Sequence, residues 1–176
     1  MPIDQAVASS LEEVFSFTVE DLRFNQQERL SPRQEALLRQ HIRRTSVIMA
    51  LFVASMALVP FGGLIYFVSQ GNLPMAGLCV FLLVVLPLLG YLLGNEERRK
   101  WQTDLAQGVV ASVYGPAEIT PLATARRRHG YRLAIGSTAF HIPERQAGAL
   151  RNGQTYCIYY APRSHAILAV EAPETA

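Results

Sequence analysis

The chain has 176 residues, half of them hydrophobic, and a formal net charge of +2 at pH 7. This charge is too small to indicate a nucleic-acid-binding protein, and the two cysteines lack the paired spacing of a metal site. Fifteen of the sixteen basic residues are arginine, a bias typical of bacterial genomes rich in G and C.

The first 31 residues are predicted to form an N-terminal helical segment. Ser10 and Glu13 have the spacing of a capping box, and Thr18 and Asp21 have the same spacing. Asn25 tolerates a left-handed backbone, so we expect it to end the second helix. Helices this short are marginal alone. The segment is therefore expected to pack on the rest of the protein, on a membrane surface or on a partner.

A much longer helix is predicted to begin at Pro32. Ser31 would be its N-cap and Gln34 the capping-box partner, while proline is well suited to a first helical turn. The apolar pattern then continues without a break to Val68. We therefore predict a single helix over residues 32–68.

The stretch from residue 45 to residue 95 contains no Asp, Glu, Lys, Arg or His. One bilayer crossing needs about 20 apolar residues, so this stretch is long enough for two crossings. We predict a transmembrane hairpin with spans at residues 45–68 and 73–94. The polar residues between them include Gly71 and Asn72, which favour a tight turn.

Basic residues flank both spans, and they predict the orientation of the hairpin. A charged exit from the membrane occupies residues 95–106, whereas the turn between the spans is uncharged. The positive-inside rule then places both termini in the cytoplasm, with the hairpin in a bacterial inner membrane. The flanking basic residues are Arg39, Arg43, Arg44, Arg98, Arg99 and Lys100.

Beyond the charged exit the apolar period changes from helical to two, which predicts a small all-β C-terminal domain over residues 107–172. Turns are predicted at Gly115-Pro116 and Asn152-Gly153, with a short helix between residues 143 and 150. Five or six short strands would close into an SH3-like or OB-like barrel to hide their edges. The spacing leaves the strand order open.

Arginines supply the most concentrated charge of this domain. A solvated loop tip is the favoured interpretation, and the functional alternative is a contact with anionic headgroups or an acidic partner. The arginines are Arg126, Arg127, Arg128 and Arg132. Three histidines of the domain could converge on zinc, although no two have a close ligand spacing. They are His129, His141 and His165. With no recognisable catalytic or nucleotide-binding motif, we predict no catalytic, cofactor-binding or metal-binding residue.

The C-terminal region follows the pattern G-x-x-Y-x-[VIL]-Y-Y-x-P-x-S-x-x-[IL]-L-[SA]-x-E from Gly153 to Glu171. This pattern, together with residues 20–37, resembles uncharacterised bacterial membrane proteins with two spans and a small β-domain. The layout is also similar to the NfeD-like membrane-anchored OB-fold proteins. The resemblance implies an architecture and supplies no catalytic residue.

We therefore expect a non-enzymatic integral membrane protein without a cofactor. Its hairpin would anchor a cytoplasmic β-barrel that acts as an interaction or assembly module, in contact with the lipid bilayer and with a protein partner or further copies of the chain. The alternative is an oligomeric transporter or channel subunit with a ligand-sensing barrel, and a third option is a zinc enzyme. Kinking prolines and pairs of small residues within the spans motivate the transport alternative. These residues are Pro60, Pro87, Ala50, Ala54, Gly90 and Gly94.

Overall fold

The computed structural model describes residues 11–122 and 130–172, except for the side chains of residues 92–95. Its helices are α1 (Val19–Gln26), α2 (Pro32–Ser69), α3 (Leu73–Gln107) and α4 (Glu144–Ala149). Its strands are β1 (Ala111–Pro121), β2 (Gly130–Ile135), β3 (Thr138–Pro143), β4 (Thr155–Tyr160) and β5 (Ile167–Glu171). The chain divides into two compact units. The β-unit comprises Met1–Ala36 and Asp104–Ala176, and the helical unit comprises Leu37–Thr103.

Capping boxes begin both α1 and α2, as the sequence predicts. The Thr18 N–H donates to the Asp21 carboxylate at 2.9 Å, and the Asp21 N–H donates to the Thr18 hydroxyl at 3.2 Å. Ser31 and Gln34 exchange equivalent hydrogen bonds of 3.2 and 3.1 Å. These bonds satisfy backbone donors that would otherwise have no partner in the first helical turn.

The end of α1 differs from the prediction. Asn25 lies inside the helix and is buried, whereas Glu28 takes the left-handed conformation with φ of 60°. The assignment of that conformation to Asn25 is therefore wrong. The helix continues to Gln26, and Gln27 is its C-cap.

Helices α2 and α3 have 38 and 35 residues, and both are long and apolar enough to cross a membrane. The connection between them is the predicted turn, in which Gly71 has φ of 69° and the Asn72 side chain accepts from the Met75 N–H at 3.4 Å. The prediction of one helix from Pro32 is confirmed, and α3 continues through the charged exit to Gln107.

Three contacts in the helical unit show that its two helices run antiparallel. The contacting pairs are His41 with Trp101, Val53 with Gly90, and Gly63 with Cys79. A Cβ atom at Gly63 would lie 3.1 Å from the Cys79 sulfur, and one at Gly90 would lie 3.3 Å from the nearest Val53 carbon. Glycine therefore permits the close approach at both positions. The small-residue pattern indicated Gly90 and missed Gly63.

The β-unit contains a five-stranded antiparallel sheet that forms a half-barrel, with strand order β3-β2-β1-β4-β5. Strand β1 joins its two halves, because Ala111 to Pro116 pair with β4 and Ala117 to Pro121 pair with β2. The turn predicted at Gly115-Pro116 is therefore wrong. These two residues instead mark the position at which one continuous strand changes partner.

The local chemistry explains why Gly115-Pro116 is compatible with a strand. A Cβ atom at Gly115 would lie only 3.3 Å from Ile135, so glycine admits the neighbouring strand. Proline lacks a backbone donor, and it is tolerated where a ladder is interrupted. The predicted turn at Asn152-Gly153 and the short helix before it are confirmed, since Gly153 has φ of 81° and α4 spans Glu144–Ala149.

Segments from both sides of the hairpin build the β-unit. The Leu30 N–H donates to the Gly108 carbonyl at 3.1 Å, and the Val110 N–H donates to the Glu28 carbonyl at 3.1 Å. Helix α1 also contacts β5, and the Gln34 side chain donates to a β5 carbonyl at 3.3 Å. The largest fully buried side chains of the β-unit include Leu11, Leu133, Ile135, Phe140, Tyr156 and Ile158.

Candidate functional site

An exposed row of polar side chains crosses β1, β2 and β3. Thr120 lies directly opposite Arg132, which in turn lies opposite His141, and all three are exposed. Leu133 is buried because successive residues of a strand point to opposite faces. We call Thr120, Arg132 and His141 the basic row. Directly opposed side chains in an antiparallel sheet are close enough to contact one partner together.

The predicted arginine contact falls only partly within the described structure. Arg132 is exposed in the basic row, as a contact residue must be. Arg126, Arg127 and Arg128 lie outside the described residues, in the connection that leads into β2. A headgroup or partner contact for these four residues remains a prediction.

All six predicted membrane-flanking bases are exposed. Three lie on α2 before the uncharged stretch and three lie on α3 after it. They are Arg39, Arg43, Arg44, Arg98, Arg99 and Lys100.

A buried carboxylate links α1 to the start of α2. Asp21 is 2% exposed and accepts hydrogen bonds from the Thr18 N–H, the Ser31 hydroxyl and the Arg33 guanidinium. Burial alone would raise the pKa of Asp21, but the hydrogen bonds from Ser31 and Thr18 and the charge of Arg33 hold it below its ordinary value of 3.8. The carboxylate therefore stays ionised at neutral pH and acts as a structural acceptor.

A second buried carboxylate holds the turn between β4 and β5. Asp104 is 1% exposed, and its two oxygens accept from the N–H groups of Arg163 and Ser164 at 2.9 and 2.7 Å. An acid in the last turn of a helix opposes the helix dipole, so the local sequence gives no reason for this residue. The partners of Asp104 lie about sixty positions away, so no local pattern points to its role.

A third cluster joins β4 to β5 and to α1. The Tyr159 hydroxyl donates to the Glu171 carboxylate at 3.0 Å, and the Gln26 amide donates to the same group at 3.4 Å. Burial raises the pKa of the Cys157 thiol. Burial also raises the pKa of Tyr159, and the nearby Cys157 and Glu171 raise it further. Both side chains therefore remain protonated at neutral pH, so this cluster supplies no thiolate nucleophile.

The two histidines of the β-unit that lie in the described residues have different neighbours. His141 lies in the basic row, whereas the His165 ring lies 5.8 Å from the ring of Tyr160 and 6.3 Å from that of Phe140. His129 lies outside the described residues. Within the described ranges, no three His, Cys, Asp or Glu side chains are arranged to hold a metal ion.

The buried carboxylates support the fold, whereas the basic row lies on the exposed surface of the β-unit. No protein-family model, curated protein or solved structure matches the chain.

Proposed function

We propose that this chain is a bacterial integral membrane protein without enzymatic activity. In this proposal α2 and α3 cross the inner membrane, and they anchor a cytoplasmic β-unit that binds a protein partner or another copy of the chain. The exposed basic row, with the arginines that precede β2, forms the contact surface. The observation that carries the proposal is the combination of an uncharged, apolar hairpin with a β-unit assembled from both of its ends.

The surface of the helical unit supports insertion into a bilayer. Its apolar side chains point outward, with Val59 80%, Leu73 76% and Leu58 69% exposed. Large continuous apolar surfaces are rare on proteins that stay in water, and they mark membrane or protein contacts. A helix satisfies its own backbone hydrogen bonds, as a crossing segment must.

The hydrogen bonds within the β-unit support a topology with both termini on one side. Residues before the hairpin bond to residues after it, as in the pairs Leu30 with Gly108 and Gln34 with Leu168. The two ends of the hairpin must share a compartment for these bonds to form. The flanking arginines favour the cytoplasm as that compartment.

The strand order supports an OB-like rather than an SH3-like sheet. Strands β1, β2 and β3 follow one another, and β4 returns after a helix to pair with β1. The resulting order β3-β2-β1-β4 is that of a Greek key, and a partly open five-stranded Greek-key barrel is the OB architecture.

Cysteine labelling tests the membrane topology. In a chain carrying Cys79→Ala and Cys157→Ser, a single cysteine is introduced at Asn72 in the hairpin turn or at Ser137 in the exposed turn between β2 and β3. A membrane-impermeant maleimide should label the first variant in intact spheroplasts and the second only after permeabilisation. Labelling of both variants in intact spheroplasts, or release of the chain by alkaline carbonate, would contradict the proposal.

Native mass spectrometry of the full chain, extracted gently from its own membrane, tests the interaction role. A complex should contain a second protein or a second copy, and Arg132→Glu should weaken it. Arg151→Glu is the matched control, since Arg151 is exposed outside the basic row. A bare monomer would contradict the proposal. Ion or solute flux in liposomes would instead favour the transport alternative.

A further inference from the structure

The two helices of the helical unit leave a cavity of about 230 Å³ between them. It lies between two closer contacts, the one at Val53 and Gly90 and the one at His41 and Trp101. Several of its side chains are also exposed, so the cavity opens to the outside of the hairpin. Its lining residues are Thr45, Ser46, Met49, Ala50, Val53, Tyr91 and Arg98.

The lining changes from polar to apolar along the hairpin. Thr45 is the first residue of the uncharged stretch, and Arg98 lies three residues beyond its last residue. Met49, Ala50 and Val53 lie within the stretch. In a bilayer this boundary is the level at which headgroups meet acyl chains. The cavity therefore has a cationic end at headgroup depth and an apolar end at acyl depth.

The surrounding charge favours an anion at the polar end. The helical unit carries six basic residues, whereas its acids are Glu96 and Glu97. Among the described residues, the Arg98 guanidinium has no carboxylate within salt-bridge distance. An arginine fork that is not occupied by a protein carboxylate matches the geometry of a phosphate group.

We propose that this cavity binds one anionic phospholipid. Its phosphate contacts the Arg98 guanidinium and the Thr45 hydroxyl, and part of one acyl chain lies along Met49, Ala50 and Val53. This inference rests on the proposed function, because it requires the hairpin to lie in a bilayer. Basic pockets between membrane helices on the cytoplasmic side are a recurrent site for anionic headgroups.

The size of the cavity agrees with partial burial of one chain. A cavity of about 150 Å³ lined by apolar side chains can bind a molecule of benzene. The larger volume here accommodates several methylene groups but not a whole lipid. The remainder of the lipid stays in the bilayer, which makes the complex specific to membranes.

Native mass spectrometry of the full chain tests the site. The protein is reconstituted in vesicles containing equal amounts of phosphatidylglycerol and phosphatidylcholine, released, and scored for the lipid that it retains. We expect one retained phosphatidylglycerol. Arg98→Gln should lower its preference over phosphatidylcholine about fivefold. Arg99→Gln is the matched control, because Arg99 is adjacent and exposed but does not line the cavity.

A second pair of variants tests the acyl end without changing charge. Ala50→Leu fills the cavity and should abolish retention of the lipid. Ala54→Leu adds the same side chain one helical turn away, outside the lining, and should leave retention unchanged. Inorganic phosphate added without lipid should give no bound species, because it offers nothing to the apolar end.

The outcomes separate this inference from the proposed function. Equal effects of Arg98→Gln and Arg99→Gln would reduce the result to general surface electrostatics and overturn the site. Retention of the phospholipid by the Ala50→Leu variant would also overturn the proposed lipid site. Both results leave the function intact if the maleimide labelling shows a membrane hairpin, whereas a chain that never enters the membrane overturns both proposals.

Discussion

The replacement of Asp104 is the sharpest test of how the β-unit is held together. The two oxygens of its buried carboxylate accept from two consecutive backbone N–H groups, at Arg163 and Ser164. Asp104→Ala removes both acceptors. Asp104→Asn keeps one oxygen but turns an NH₂ group toward the second N–H, so that two donors face each other.

The size of the effect follows from these two bonds. A hydrogen bond to a charged group contributes about 1.5 to 3 kcal/mol, and removal of the carboxylate also relieves the cost of its burial. We therefore expect Asp104→Ala to destabilise the turn between β4 and β5 by about 2 to 4 kcal/mol. Asp104→Asn should cost nearly as much, although it preserves the shape of the side chain.

Hydrogen exchange of the full chain in detergent, followed by mass spectrometry, measures this directly. Exchange in peptides that cover residues 161–166 should accelerate about 30- to 1000-fold, which corresponds to the expected free energy. Gln102→Ala is the control, because Gln102 is exposed on the same helix. A surface change of this kind should alter stability by less than about 0.5 kcal/mol.

The exchange rate of Asp104→Asn shows whether both carboxylate oxygens are needed. If its turn exchanges at the wild-type rate while Asp104→Ala accelerates, one oxygen is sufficient and the paired-acceptor argument is refuted. If neither variant changes the exchange rate, the turn is held by other contacts.

Three further predictions follow from the described contacts. Because the pKa of Asp21 is held below 3.8, its carboxylate stabilises the fold above that pH and the stabilisation is lost as the pH falls through the lower folded value. Asp21→Asn should therefore make the free energy of unfolding depend less on pH in the acid range; an unchanged dependence would contradict this. Gly90→Leu should lower helical-unit stability in thermal melts by about 1 to 3 kcal/mol through overpacking, whereas Gly77→Leu, with open space around it, should not. Cys157 is partly exposed, and burial raises the pKa of its thiol, so in a Cys79→Ala background it should react with maleimide at pH 8 more slowly in the folded than in the unfolded chain; equal rates would contradict this.

Local signals in the sequence predicted the helix starts correctly. The pairs Thr18 with Asp21 and Ser31 with Gln34 are three residues apart, so their hydrogen bonds depend on little beyond the local chain. The long uncharged stretch predicted the paired helices for a similar reason, since composition alone sets their apolar surface. These features require no knowledge of distant partners.

The remaining features depend on residues far apart in the sequence. Gly115-Pro116 has the composition of a turn, and its place within a strand becomes evident only once β2 and β4 are positioned on either side. Asn152 was identified as a turn residue, yet its side chain also accepts from the Ile119 N–H at 2.9 Å. The interhelical cavity likewise depends on which faces of α2 and α3 meet, which the nearly uniform apolar composition does not specify.

The assembly of the β-unit from both ends of the chain imposes an order on biosynthesis. The Gln34 side chain bonds to a carbonyl that is synthesised 134 residues later. At about 5 to 20 residues per second, translation of that interval lasts roughly 7 to 27 s. Throughout it Leu11, Phe15 and Phe17, which are buried in the finished protein, lack the strands that complete their unit. The packing of these side chains is therefore completed only after the last strand has been synthesised.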